Sequence, residues 1–147
     1  MQIRIATEAD ESIITEMGNK VLAHHAVFNP FYKPVAAGAE IQPTPEKLVY
    51  LATDDAGVVV GCIRGVFLAA PLDRTYPYAV IQSIWVEEEA RGQGIAQELI
   101  RTFETDVKER GAKQVDMFVD VQNELGLALW DAAGYVTYQQ KRRKLLY

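Results

Sequence analysis

Cysteine is nearly missing from this chain: Cys62 is the single one in 147 residues. No intrachain disulfide can form, and a cysteine-based zinc site is disfavoured. Long hydrophobic runs are also lacking. No stretch approaches the roughly 18 apolar residues of a membrane-spanning helix, so no membrane partner is expected. The opening "MQIRIATEADE" has no basic segment followed by an apolar one, so it does not read as a secretory signal, and a cytoplasmic location is expected. Histidine is scarce. His24 and His25 stand side by side without acids close in sequence, which reads as surface rather than as a metal site. Positive charge is in deficit, with 15 Lys and Arg against 20 Asp and Glu. The resulting net charge of -5 argues against nucleic acid and for a cationic partner. Internal repeats, linkers and low-complexity tracts are absent.

Hydrophobic residues make up 49% of the chain, enough for one domain with its own core. Gln2–Ala6 alternates as a strand. Thr7 and the following acids suit a helix start, and Ile13, Ile14, Met17, Val21 and Leu22 recur at helical spacing. Between Phe28 and Lys47 lie four of the six prolines and Gly38, which forbids a long regular element. That segment reads either as a tolerated surface loop or as one facing a substrate. Leu48–Thr53, Val58–Ala69 and Tyr78–Val86 read as strands, the last buried on both faces. A helix follows Gly94, with Ile95, Leu99, Phe103 and Val107 four apart, and stops at Gly111. Val115, Met117, Val119 and Val121 alternate as a further strand. A helix from Asn123 stops at Gly134, and Tyr135–Gln140 and Arg142–Tyr147 read as two last strands. The order predicts an α/β domain over 1–147, with a mixed sheet and helices packed on it.

The stretch "RGQGIA", Arg91–Ala96, sits between the third long strand and its helix. A helix N-terminus offers unpaired amides and positive potential, and glycine lets the backbone come close to a ligand. Together they suit an anion such as a pyrophosphate, with Arg91 adding a cation. The competing reading is a tight strand-to-helix turn. A P-loop fails because Ile95 and Ala96 follow Gly94, and the dinucleotide fingerprint fails because Gln97 stands at its last position.

Arg91-Gly92-Gln93-Gly94-Ile95-Ala96 resembles the acyl-CoA signature of the GNAT N-acetyltransferase superfamily, Arg/Gln-x-x-Gly-x-Gly/Ala. Downstream, "NELGLALWDAAGY" is similar to that family's Asn-x-x-Ala-x-x-Leu-Tyr-x-x-x-Gly-Phe, with Asn123, Gly126, Leu129, Trp130, Gly134 and Tyr135 in register. The resemblance implies a mostly antiparallel sheet splayed between its fourth and fifth strands. It implies acetyl-CoA as co-substrate and transfer of the acetyl group to a primary amine of a small molecule or peptide, by direct attack in a ternary complex. Backbone groups of Ile84, Trp85 and Val86 would pair with the pantetheine arm. Amides of Arg91, Gly92, Gln93, Gly94, Ile95 and Ala96 would hold the pyrophosphate, and Asn123 would meet the pantetheine end. The Val86 N–H would polarise the thioester carbonyl.

The sequence departs from the family at two places. Trp130 stands where a tyrosine acid is usual. An indole cannot act as a proton acid, so Trp130 reads as a packing residue against the cofactor. Tyr135 and Tyr138 are substitutes, though such tyrosines are more often core or strand residues. Phe118 stands where some relatives carry a carboxylate base. Asp120, two residues on and on the same face of a regular strand, is the candidate base, against a solvated strand end. Tyr78 is a candidate for ordering water or substrate, against packing. Glu87, Glu88 and Glu89 read as a solvated turn that can attract a cation. Lys141-Arg142-Arg143-Lys144 reads as protection of a strand edge, or as a phosphate contact. The rival function is a non-catalytic acyl-CoA sensor; a structural domain that binds nothing is the third. A homodimer stays open.

Overall fold

A computed structural model describes residues 1–28 and 46–147. Strand β1 (Gln2–Ile5) leads through a short 3-10 turn (Glu8–Asp10) into helix α1 (Glu11–Ala26). At this junction the Asp10 carboxylate accepts the Thr7 amide at 2.8 Å and both Arg4 Nη atoms at 2.8 Å. Strands β2 (Lys47–Thr53), β3 (Val59–Leu68) and β4 (Tyr78–Val86) follow, then helix α2 (Ile95–Glu109), strand β5 (Val115–Met117) and helix α3 (Glu124–Ala132). The Pro-rich segment falls almost wholly outside the described residues.

The five strands lie in sequence order. β1 to β4 are antiparallel, and β4 and β5 are parallel. β2 is buried on both faces, as its apolar run requires. Leu48, Tyr50 and Ala52 meet α2 through Leu99, Ile100, Phe103 and Val107. Val49, Leu51 and Cys62 meet α1 through Ile14 and Met17. Burial pushes the Cys62 thiol up to about 12, so it is an inert core residue. α2 approaches the sheet closely because β3 carries glycine beneath it. A Cβ on Gly65 would lie 2.5 Å from the Phe103 ring and from the Val80 carbonyl oxygen.

Two irregularities position the site. On β4, Ser83 faces Arg64 and Ile81 faces Gly65, so Gln82 is an extra residue and a bulge. Before it, Ile81 packs on the α2 side; after it, Ile84 and Val86 do, while Trp85 turns to α1. Second, β5 pairs with β4 only through Ala79–Val115, Val80–Asp116 and Ile81–Met117. Beyond Met117 the two chains part. The expected strand through Val121 therefore ends early: Val119 is half-buried and Val121 exposed.

The two expected C-terminal strands are not formed. From Val136 to Tyr147 the chain is exposed, in no helix or strand. A three-residue β5 offers little ladder to pair with, and Gln139–Lys144 interrupts the apolar alternation with six polar residues. The 141–144 basic run thus guards no strand of its own. Tyr138 is anchored, donating to Asp116 at 2.7 Å beside Arg74, whose guanidinium lies 2.7 Å from the same carboxylate. Among the described residues no helix is long and apolar enough to cross a membrane.

Candidate functional site

The parting of β4 and β5 opens a cleft of about 660 Å³, within the usual range for ligand sites. Its floor is Ile81–Val86. One wall is Met117–Val119 with α3, the opposite wall is the end of α1, and Ala90–Gln97 closes one end.

The strand geometry decides which backbone groups face the gap. Successive residues of a strand direct their N–H and C=O groups to alternate edges. The Glu87 amide donates to Val60 O of β3 at 2.8 Å, so Val86, one residue earlier, directs its groups away from β3. Consistently, Arg91 Nε donates to the Val86 carbonyl at 2.9 Å from the cleft side. Ile84 shares this orientation. The Ile84 and Val86 amides thus line a free edge at which an extended polar ligand can add like another strand.

At the closed end, Gly92 (φ 77°) and Gly94 (φ 79°) are both left-handed, and Gly94 caps α2. A Cβ there would meet nothing within 4 Å, so the glycines answer to backbone conformation and leave open space before the first turn of α2. The Arg91 guanidinium lies 4.8 Å from the Trp85 ring centroid. Gly92, Gly94, Ile95 and Ala96 line the cleft together with Arg91 and Gln97, whereas Gln93 lines a neighbouring cavity.

Asn123 lines the cleft but commits its Oδ1 to the Gly126 amide at 3.0 Å, as the N-cap of α3. A Cβ at 126 would lie 2.5 Å from Asn123 Nδ2, which accounts for glycine where the related pattern has alanine. Trp130 is buried, edge-on to Tyr135 at 5.1 Å, and lines the cleft wall. The Tyr135 hydroxyl is held by Glu104 at 2.8 Å, and burial and that carboxylate raise its pKa further. Tyr138 is tied to Asp116, below the opening. Tyr78 is buried at the far end of β4, its hydroxyl 3.4 Å from Asp73 and its ring 3.7 Å from the Arg74 guanidinium. Asp120 is half-buried beyond β5 and does not itself line the cleft.

Of the three consecutive acids, Glu87 is no solvated turn residue. It accepts Lys20 Nζ of α1 at 2.6 Å and Trp85 Nε1 at 3.4 Å, joining α1 to the end of β4. His24 and His25 also depart from the surface reading, since both line the cleft. The signal was present: continuing Met17 and Val21 by three and four residues gives His24 and His25. Gln82, Ser83 and the exposed apolar Phe118 and Leu125 also line the cleft; Phe118 stands at the position compared with a carboxylate base, and no motif pointed to the other three.

A split mixed sheet, an amide-lined edge in the split and a glycine-capped helix beside it define the class of fold. The profile of the Acetyltransferase (GNAT) family matches residues 18–135, and the chain belongs to that family. No curated protein matches the sequence. Among solved structures, a mutant of the BH1408 protein from Bacillus halodurans superposes with a TM-score of 0.88 at 18% identity, covering 100% of each chain. The aminoglycoside acetyltransferase meta-AAC0020 from an uncultured soil metagenomic sample, in complex with sisomicin, gives 0.75 at 17% identity, covering 99% of this chain and 95% of that one. An acetyltransferase from Vibrio fischeri gives 0.63 at 28% identity, over 82% of this chain and 98% of the other.

Proposed function

We propose that the protein transfers an acetyl group from acetyl-CoA to a primary amine of a small, cationic molecule. The observation that carries this reading is the conjunction of the free Ile84–Val86 edge with the open, left-handed Gly92–Gly94 turn at one end of the same cleft. Ile84 and Val86 would bond the pantetheine amides. Arg91 and the first amides of α2 would hold the pyrophosphate. The Val86 N–H, rigid within the sheet, would stabilise the oxyanion as the amine attacks the thioester carbonyl. Trp130 would pack beside the thioester. Thiolate is a tolerable leaving group, with a thiol pKa near ~8.5, so a dedicated acid is not required.

For the acceptor, the net charge of -5 favours a cation, and aminoglycoside acetyltransferases among the structural neighbours make polyamines of that kind the first to try. The test pairs calorimetry of CoA binding with thiol release from acetyl-CoA over a panel of amines, including sisomicin and simple diamines. Binding and amine-dependent release are expected. Gly94→Asp, which adds a strained Cβ and a negative charge, should retain the fold and abolish binding. Unchanged affinity in that variant would sink the cradle assignment, and binding without release to any amine would favour a sensor.

A further inference from the structure

Few groups bordering this cleft can exchange a proton. Among the described lining residues only His24, His25 and Arg91 are ionisable, and arginine stays protonated. An amine acceptor arrives as an ammonium ion, with a pKa near ~10.4 for a lysine-like amine, and must lose a proton before it can attack. The two histidines are not equivalent. His24 is engaged with aromatic rings, edge-on to Phe28 at 5.5 Å and to Trp85 at 6.4 Å. His25, in the last turn of α1, is half-buried, and the charge of Asp120 acts to raise its pKa.

We infer that His25, half-buried in the cleft lining at the end of α1, is the general base for the acceptor amine, with the charge of Asp120 favouring its protonated form. The inference rests on the acetyl-transfer reading above. His25 removes one proton from the ammonium. The freed nitrogen pair forms the bond to the acetyl carbon, the carbon–sulfur bond breaks, and the sulfur leaves with that bonding pair. A second proton from the former ammonium goes to the thiolate, and His25 returns its own to solvent. The groups facing His25 agree with this role. Burial and the neighbouring His24, its ring 6.0 Å away, lower the His25 pKa, and Asp120 partly offsets them. The balance leaves His25 below its ordinary value, hence neutral and able to accept a proton at pH 7.

The experiment measures kcat/KM against pH for wild type, His25→Gln, His25→Ala and Asp120→Asn, using acetyl-CoA and the best amine of the panel, with CoA affinity measured in parallel. Wild type should show an acid limb with a midpoint below about 6.5. His25→Gln should bind CoA normally, lose roughly 10²-fold or more in turnover and lack that limb. Added imidazole should restore part of the activity of His25→Ala. Asp120→Asn should move the limb to lower pH, because the charge that raises the His25 pKa is gone. A His25→Gln variant that keeps its turnover and its acid limb overturns the inference. So does loss of the limb in Asp120→Asn alone, which would make the carboxylate the base. Absence of CoA binding in the wild type would instead refute the acetyl-transfer reading itself.

Discussion

Trp130 shows how one residue can answer two demands. Its ring is buried in the core on the α2 side while one face borders the cleft. The related pattern has a tyrosine here, and the neighbouring tyrosine hydroxyls are committed elsewhere, Tyr135 to Glu104 and Tyr138 to Asp116. Trp130 is therefore a wall and not an acid. Trp130→Phe should retain CoA affinity and most of the turnover, with a stability loss of about 1–2 kcal/mol for the smaller ring. Steady-state kinetics and denaturant unfolding would check this; near-complete loss of turnover with normal CoA binding would contradict it. At this scale the sequence was a partial guide. Gly92, Gly94 and Asn123 were legible because turns and caps restrict residue type locally. His24 and His25 were read as surface because the cleft they border is built from segments distant in sequence, the end of β4 and the chain beyond β5.

At the level of elements, α2 lies close to the sheet because β3 supplies glycine under it. Gly65→Ala would drive a methyl group to 2.5 Å from both the Phe103 ring and a backbone oxygen. The ring can shift only by disturbing a filled core, and the carbonyl cannot shift without breaking the β3–β4 register. Overpacking of this kind should cost about 1–3 kcal/mol, seen as a lower urea midpoint with an unchanged m-value. An unaffected midpoint would mean that the sheet yields more readily than its geometry implies. The helices and long strands could be read from sequence because each carries one strong period. The C-terminal alternation misled, because a strand is a property of two segments. Nothing local in Tyr135–Gln140 records that β5 is only three residues long.

Across the whole molecule, the Asp10 junction ties β1 to α1 and has a consequence for acid stability. Arg4 first, then the Thr7 amide, hold the Asp10 carboxylate well below the usual range. Its folded pKa lies under the unfolded value of about 3.9, so this contribution is complete above that pH and is lost as pH falls through the folded value. Asp10→Asn should lower stability by about 1–2 kcal/mol at pH 7, a difference that should be smaller at pH 2. Thermal unfolding at the two pH values checks the sign; a gap that widens in acid would refute it. The bulge at Gln82 carries a further implication. A strand is read in two-residue steps, and this one surplus residue resets the phase halfway along β4. Downstream of it, the choice of which amides meet the ligand and which rings meet α1 is inverted from what the upstream half would dictate. Mutational drift can therefore alter Gln82 in kind, but a strand that took it up as an ordinary ladder residue would exchange the roles of Trp85 and Val86, turning the binding edge towards β3 and the indole into the opposite core.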